Sequence, residues 1–123
     1  MTDRTALYTR TTIQSTTYLF TTTWVNNMAE NIEELTIHYE EDGRVLRKEV
    51  SKEVLSKGSW ATIMFLYQDL DRKTEEYGKQ KVSIRRYQKR EGTFLQRSKF
   101  EVSSAAQARA ICNKIQDWFP EEE

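Results

Sequence analysis

The stretch "WATIMFLYQDL", residues 60–70, decides the fold. Trp60, Met64 and Leu66 fall on one alternating set, and Ala61, Ile63, Phe65 and Tyr67 fall on the other. A strand that is apolar on both sets is covered on both faces. Its aromatic and β-branched content, and the strand signals around it, argue against a helix of the same length. The chain therefore has a sheet at its centre, and the neighbouring segments are read as its partners.

Upstream, Leu35, Ile37 and Tyr39 alternate up to Glu41-Asp42-Gly43. The glycine can take positive φ there, so residues 44–50 return as the second arm of a hairpin. A polar connector, "SKEVLSKGS" (51–59), leads to residue 60. Downstream, the charged loop "DLDRKTEEYGKQ" turns the chain into a strand over 81–88, and Gly92 turns it again into 93–102. In this last strand Phe94, Phe100 and Val102 share one set, and Leu95, Arg97 and Lys99 the other. The result is an antiparallel β-meander of about five strands.

"SSAAQARAICNKIQDWF" (103–119) closes the domain as a helix. Ser104 is the N-cap and Gln107, three residues on, completes a capping box. Ala108, Ile111, Cys112, Ile115, Trp118 and Phe119 form one stripe at helical spacing, and Pro120 ends it. The expected fold class is α+β, a five-stranded meander with one C-terminal amphipathic helix packed on the sheet. One helix covers one face only. The second apolar set of residues 60–70 therefore predicts a second copy of the chain, a homodimer.

Composition changes sharply at Met28. Residues 1–27 are dominated by threonine with no clear period, and are expected to be a poorly ordered extension. Met28 is a candidate start of the functional chain, with the preceding residues an upstream addition. Residues 28–119 are one domain, and 120–123 an acidic tail. No apolar run approaches the roughly 20 residues that span a bilayer, and no signal peptide opens the chain, so a cytoplasmic location without membrane contact is expected. A single cysteine, Cys112, and a single histidine, His38, leave neither disulfide, metal site nor nucleophile–base pair. No cofactor is expected.

Nineteen basic and nineteen acidic residues give a net charge of zero. The balance is local, however. Residues 72–99 hold ten Lys/Arg against three Glu, a net of +7. If 81–88 alternate, Ser83, Arg85, Tyr87 and Lys89 face away from Val82, Ile84 and Arg86. Set beside Arg97 and Lys99 of the next strand, they make a basic-aromatic patch: Arg85, Tyr87, Lys89, Arg97 and Lys99. Cations neutralise phosphates, and an interleaved aromatic stacks on an unpaired base, which is the chemistry of single-stranded DNA or RNA binding. A solvated strand face whose charges keep the edge from aggregating carries the same pattern.

The stretch "VSIRRYQKREGTFLQRSKFEVSSAAQARAICNKI" resembles the close of the positive-cofactor-four-like, Whirly and Pur-alpha group of single-stranded nucleic-acid binders. There an Ile-Arg-aromatic strand passes a glycine turn and enters a helix through a polar cap. Ile84, Arg85, Tyr87, Gly92 and Ser104 stand at the matching places. At the start of the helix, where the family has a Lys-Gly-Ile-Ser-Leu pattern, this chain has Phe100-Glu101-Val102-Ser103. The resemblance covers residues 60–119 and implies a dimer that grips single strands with little sequence preference. The alternative is a non-enzymatic protein-interaction module of pleckstrin-like layout. Catalysis is not expected: Asp69, Asp71, Glu75 and Glu76 are loop carboxylates without a partner base, phosphate loop or metal spacing.

Overall fold

Seven strands form one antiparallel sheet in the computed structural model, which describes residues 28–121. In chain order they are β1 (Met28–Ala29), β2 (Tyr39–Glu41), β3 (Arg44–Ser56), β4 (Trp60–Asp71), β5 (Glu76–Tyr77), β6 (Lys81–Arg90) and β7 (Thr93–Val102). Helix α1 (Ala105–Trp118) follows. Across the sheet the order is β1-β7-β6-β4-β3-β2, with β5 paired to the end of β4. The fold is thus α+β, a curled antiparallel sheet with a single C-terminal helix, as the sequence predicts. The threonine-rich extension and Glu122–Glu123 of the tail lie outside the described residues.

Two turns follow the chemistry of two-residue hairpin loops. Asp42 and Gly43 adopt φ of 53° and 78°, and Glu91 and Gly92 adopt 54° and 81°. Consecutive positive φ values give a loop whose twist matches that of the flanking strands. They fix β2 against β3 and β6 against β7.

The inner face of the sheet is the core. Ala61, Ile63, Phe65 and Tyr67 of β4 are all buried, joined by Tyr87 and Phe94. What covers them is a strap. Residues 30–38 run from β1 at one edge to β2 at the other, placing Leu35 and Ile37 in the core with Ile32 packed beside them. Lys52 ties the strap down, its ammonium donating to the carbonyl oxygens of Ile32 (2.8 Å), Glu33 (3.2 Å) and Leu35 (2.7 Å). One carboxylate oxygen of Glu49 accepts from the Thr36 hydroxyl and from the Ile37 N–H. Leu35 and Ile37 therefore alternate as expected but belong to the strap, and the first hairpin arm shrinks to Tyr39–Glu41.

Three further expectations change. The polar connector is mostly strand, because β3 continues to Ser56 against β4. A bulge at Val50 sets Lys52 and Val54 opposite the inward Phe65 and Ile63 despite the charged text around them, and a second at Leu55 follows. Phe94 and Phe100 do not share a face. Arg86 pairs with Ser98 but Tyr87 with Gln96, so Arg97 is an extra residue that reverses the alternation of β7. Phe94 is buried, whereas Phe100 is 52% exposed.

The third concerns the helix, which forms where expected. The Ser104 hydroxyl accepts from the Gln107 N–H at 3.1 Å, and the Gln107 side chain accepts from the Ser103 N–H at 3.1 Å. Its stripe, however, is not packed into the sheet. No residue of α1 is buried; Ala108 and Ile111 are half-buried, and Ile115, Trp118 and Phe119 are 49%, 68% and 74% exposed. The strap already fills the inner face, so the core offers the helix no vacancy. Its contact with the sheet is chiefly with β7, the strand it leaves.

Candidate nucleic-acid interface

The five residues expected to form one wet basic-aromatic patch are divided between the core and two surfaces. Alternation along β6 holds, but the set containing Ser83, Arg85 and Tyr87 faces inward. Arg85 is only 5% exposed. Its Nε donates to Ser83 Oγ and its Nη1 to Gln96 Oε1, both at 3.0 Å, and Glu101 lies 3.8 Å from Nη2. Tyr87 is fully buried beneath the strap, and its hydroxyl has no hydrogen-bond partner among the described residues. Burial pushes this phenol above the usual tyrosine range, with the Arg85 charge tempering the rise. Neither residue is available to a phosphate or a base. Lys89 and Lys99 are exposed, with inward parity at the rim; the Lys89 ammonium lies 5.4 Å from the Phe94 ring centroid. Only Arg97 reaches the outer face, carried there by the bulge.

Inward-facing charge on this sheet is internally matched. The hydroxyls of Tyr67 and Ser83 donate to the two oxygens of Glu101. Burial alone would raise the Glu101 pKa, but these two donors and Arg85 hold it below the usual carboxylate range. Asp69 accepts from Arg47 Nε at 2.7 Å and from Lys81 Nζ at 3.2 Å. Those two cations outweigh the desolvation of Asp69 and keep its pKa low as well. The hydrogen bond to Asp69 in turn raises Arg47, whose guanidinium lies 4.5 Å from the Tyr67 ring centroid. The Tyr67 phenol is pushed up by burial and by its bond to Glu101. With its charges paired, this network closes one end of the core.

The outer face carries a basic-aromatic cluster of different composition. Trp60 opens β4 opposite Gln88 of β6 and is 40% exposed. The guanidinium of Arg86 lies over its indole, 4.5 Å from the ring centroid. Arg97 Nε donates to Gln88 Oε1 at 3.1 Å, which joins the bulge of β7 to the same strip. Beyond it Arg90, Glu91, Thr93, Leu95 and Arg97 line an open hollow of about 380 Å³. Among the described residues Arg86, Arg90 and Arg97 form no ion pair, in contrast to Arg44 with Glu75 and Arg72 with Glu41. Three arginines that form no ion pair among the described residues, the hairpin carboxylate of Glu91, an accessible indole and a half-buried amide thus share one end of the outer face.

At the other end the outer face is apolar. Met64, Leu66, Val82 and Ile84 are half-buried and Phe100 is exposed. Sequence reasoning placed Arg86 opposite the basic set and Trp60 in an apolar strand, so it missed both. The pairing of Trp60 with Gln88 depends on the β4–β6 register, and only the register brings the indole to the arginines.

Among the described residues no three His, Cys, Asp or Glu side chains are placed to hold a metal ion, and no helix is long and apolar enough to cross a membrane. No family model, no curated protein and no solved structure matches the chain.

Proposed function

We propose that the domain binds single-stranded nucleic acid with low sequence specificity through the outer-face cluster of Trp60, Arg86, Arg90 and Arg97. The observation that carries this reading is the Arg86 guanidinium over the accessible Trp60 ring, on a strip that continues to Arg90 and Arg97, none of the three arginines forming an ion pair among the described residues. An indole already stacked on one side by a cation is a platform for a base, and each free guanidinium can displace a condensed counterion from a phosphate. The work assigned to it needs no catalytic group. Anisotropy titration of a labelled single-stranded oligonucleotide at several salt concentrations tests it. Arg86→Ala, Arg90→Ala and Arg97→Ala should each flatten the slope of log affinity against log salt by roughly 0.7. Trp60→Ala should lower affinity by roughly 1–3 kcal/mol with less change in slope. Absence of wild-type binding at low ionic strength overturns the reading.

The apolar end of the same face, where Phe100 is exposed, and the exposed Ile115, Trp118 and Phe119 of α1 support a second copy of the chain as partner, since they leave large apolar area in water. A monomer mass by light scattering at micromolar concentration would remove that part. The same surface favours a second reading, a protein-interaction module in which a foreign chain takes that place. It gains if the wild type shows neither self-association nor oligonucleotide binding.

A further inference from the structure

We propose that the outer face receives the end of α1 and the acidic tail of a second copy of the chain, so that Glu121, Glu122 and Glu123 compete with nucleic acid for Arg86, Arg90 and Arg97. The competition rests on the nucleic-acid reading above; the docking does not. Both surfaces are apolar first and charged second, with opposite sign. On the outer face Met64 and Ile84 pair beside Phe100, and Arg86 and Trp60 follow. On α1 the exposed Ile115, Trp118 and Phe119 come first, and the three glutamates follow. The lengths agree as well. Ile115 to Phe119 covers about 6 Å of helix, and Ile84 to Arg86 about 7 Å of strand. A stripe seated on the apolar end, its C-terminus toward Arg86, carries the glutamates to the arginines.

Charge favours the same direction. The end of α1 is the negative pole of its dipole, and its last turn holds no basic residue. Asp117 is answered by Lys114 at 3.7 Å, whereas Glu121 has no ion pair among the described residues. On the receiving strip Glu91 opposes the acids at the hairpin tip, but the three arginines outnumber it. The occupant is not the molecule's own helix. Trp118 and Phe119 stand in solvent, and α1 meets its own sheet chiefly at β7. Exchange between two copies about a two-fold axis buries both stripes at once.

Sedimentation equilibrium of the full chain over a range of protein and salt concentrations, without nucleic acid, tests the docking. Wild type should dimerise, and less so as salt rises. The triple change Glu121→Gln, Glu122→Gln and Glu123→Gln should weaken the dimer about tenfold at low salt and flatten its salt dependence, because exposed ion pairs each add only modestly. Trp118→Ala should weaken it at every salt concentration. A monomeric wild type, or a dimer that the triple change leaves as it was, overturns the proposal. Anisotropy titration of a labelled single-stranded oligonucleotide, at concentrations where the wild type is dimeric, tests the competition. The triple variant should bind more tightly than wild type, and so should Trp118→Ala, which leaves the charge unaltered. A gain in the triple variant alone means repulsion by the tail rather than occupation of the strip, and equal affinities throughout also overturn the competition. If no variant binds while the dimer still depends on the glutamates, the nucleic-acid reading fails and the docking stands. A melting scan of each variant separates lost association from lost folding.

Discussion

Replacing Tyr87 by phenylalanine and by alanine should move stability in opposite directions. The ring is fully buried in the core cluster with Ala61, Phe65 and Leu35. Its hydroxyl is equally buried and has no partner at hydrogen-bonding geometry among the described residues: the Arg85 guanidinium, close enough to temper the rise of the phenol's pKa, turns its Nε and Nη1 to Ser83 and Gln96. A buried polar group without a hydrogen bond costs about 1–3 kcal/mol. Tyr87→Phe removes that cost and a single atom, so it should raise stability by about 1 kcal/mol. For a domain of this size the melting temperature then rises by about 4–8 °C. Tyr87→Ala instead deletes a core aromatic, which costs about 3–5 kcal/mol. That is a large fraction of the total stability of a small domain. Urea denaturation followed by circular dichroism, with the slope checked for constancy, measures both. A Tyr87→Phe variant destabilised by more than about 1 kcal/mol would show that the hydroxyl has a partner, such as an internal water. A Tyr87→Ala variant with the wild-type midpoint would refute the burial of the ring and return it to the surface as a stacking platform.

At concentrations where the chain is monomeric, Ile115→Ala should cost less than about 1 kcal/mol by the same denaturation assay, because the residue is 49% exposed; a loss of about 2–5 kcal/mol would mean the stripe is packed after all. Lys52→Met should cost about 2–3 kcal/mol, since three strap carbonyls lose a charged donor, while Lys48→Met on the exposed side of β3 should be nearly neutral. Asp69 and Glu101 are both held below their ordinary values in the folded state, so their contribution to stability is full above the unfolded carboxylate pKa of about 4 and is lost as pH falls through the lower folded values. The melting temperature should therefore be level from about pH 7 to 5 and decline below about 4, with a shallower decline in Asp69→Asn; a steady fall beginning near neutrality would point to other groups.

Much of the fold was legible because it follows from local rules. The Asp42-Gly43 and Glu91-Gly92 turns, the period-2 pattern of residues 60–67 and the Ser104–Gln107 cap each act within a few residues, and each is found where the sequence places it. What was not legible depends on pairings across the chain. Alternation assigned Arg85 and Tyr87 to one side of β6, yet it cannot say which side is covered. Polar text suggested the wet side. The covering strap, whose Leu35 and Ile37 looked like an ordinary strand, decided otherwise. The burial of Arg85 is then possible only because Ser83, Gln96 and Glu101 supply its partners, as a buried charge requires.

The candidate site turns on a single residue of register. Were Arg97 paired in a regular ladder instead of bulged, Phe94 and Phe100 would share the inner face, and Arg97 would lie with Leu95 and Lys99 on the other, as a strict period of 2 demands. With the bulge, Phe94 stays in the core, Phe100 goes out to the apolar end, and Lys99 turns inward opposite Arg85. Arg97, the bulged residue, is left beside Gln88 on the outer face. One residue thus separates the aromatic pair and delivers the third arginine to the Trp60–Arg86 cluster. Deleting Arg97 removes the bulge and leaves the remaining β6–β7 pairs as they are, so Phe94 stays in the core and Phe100 stays outside. The deletion should therefore cost little stability, as should Arg97→Ala, and both should weaken oligonucleotide binding by the loss of one arginine from the outer strip. A loss of several kcal/mol on deletion in urea denaturation would show that Arg97 is part of the ladder and not its bulge.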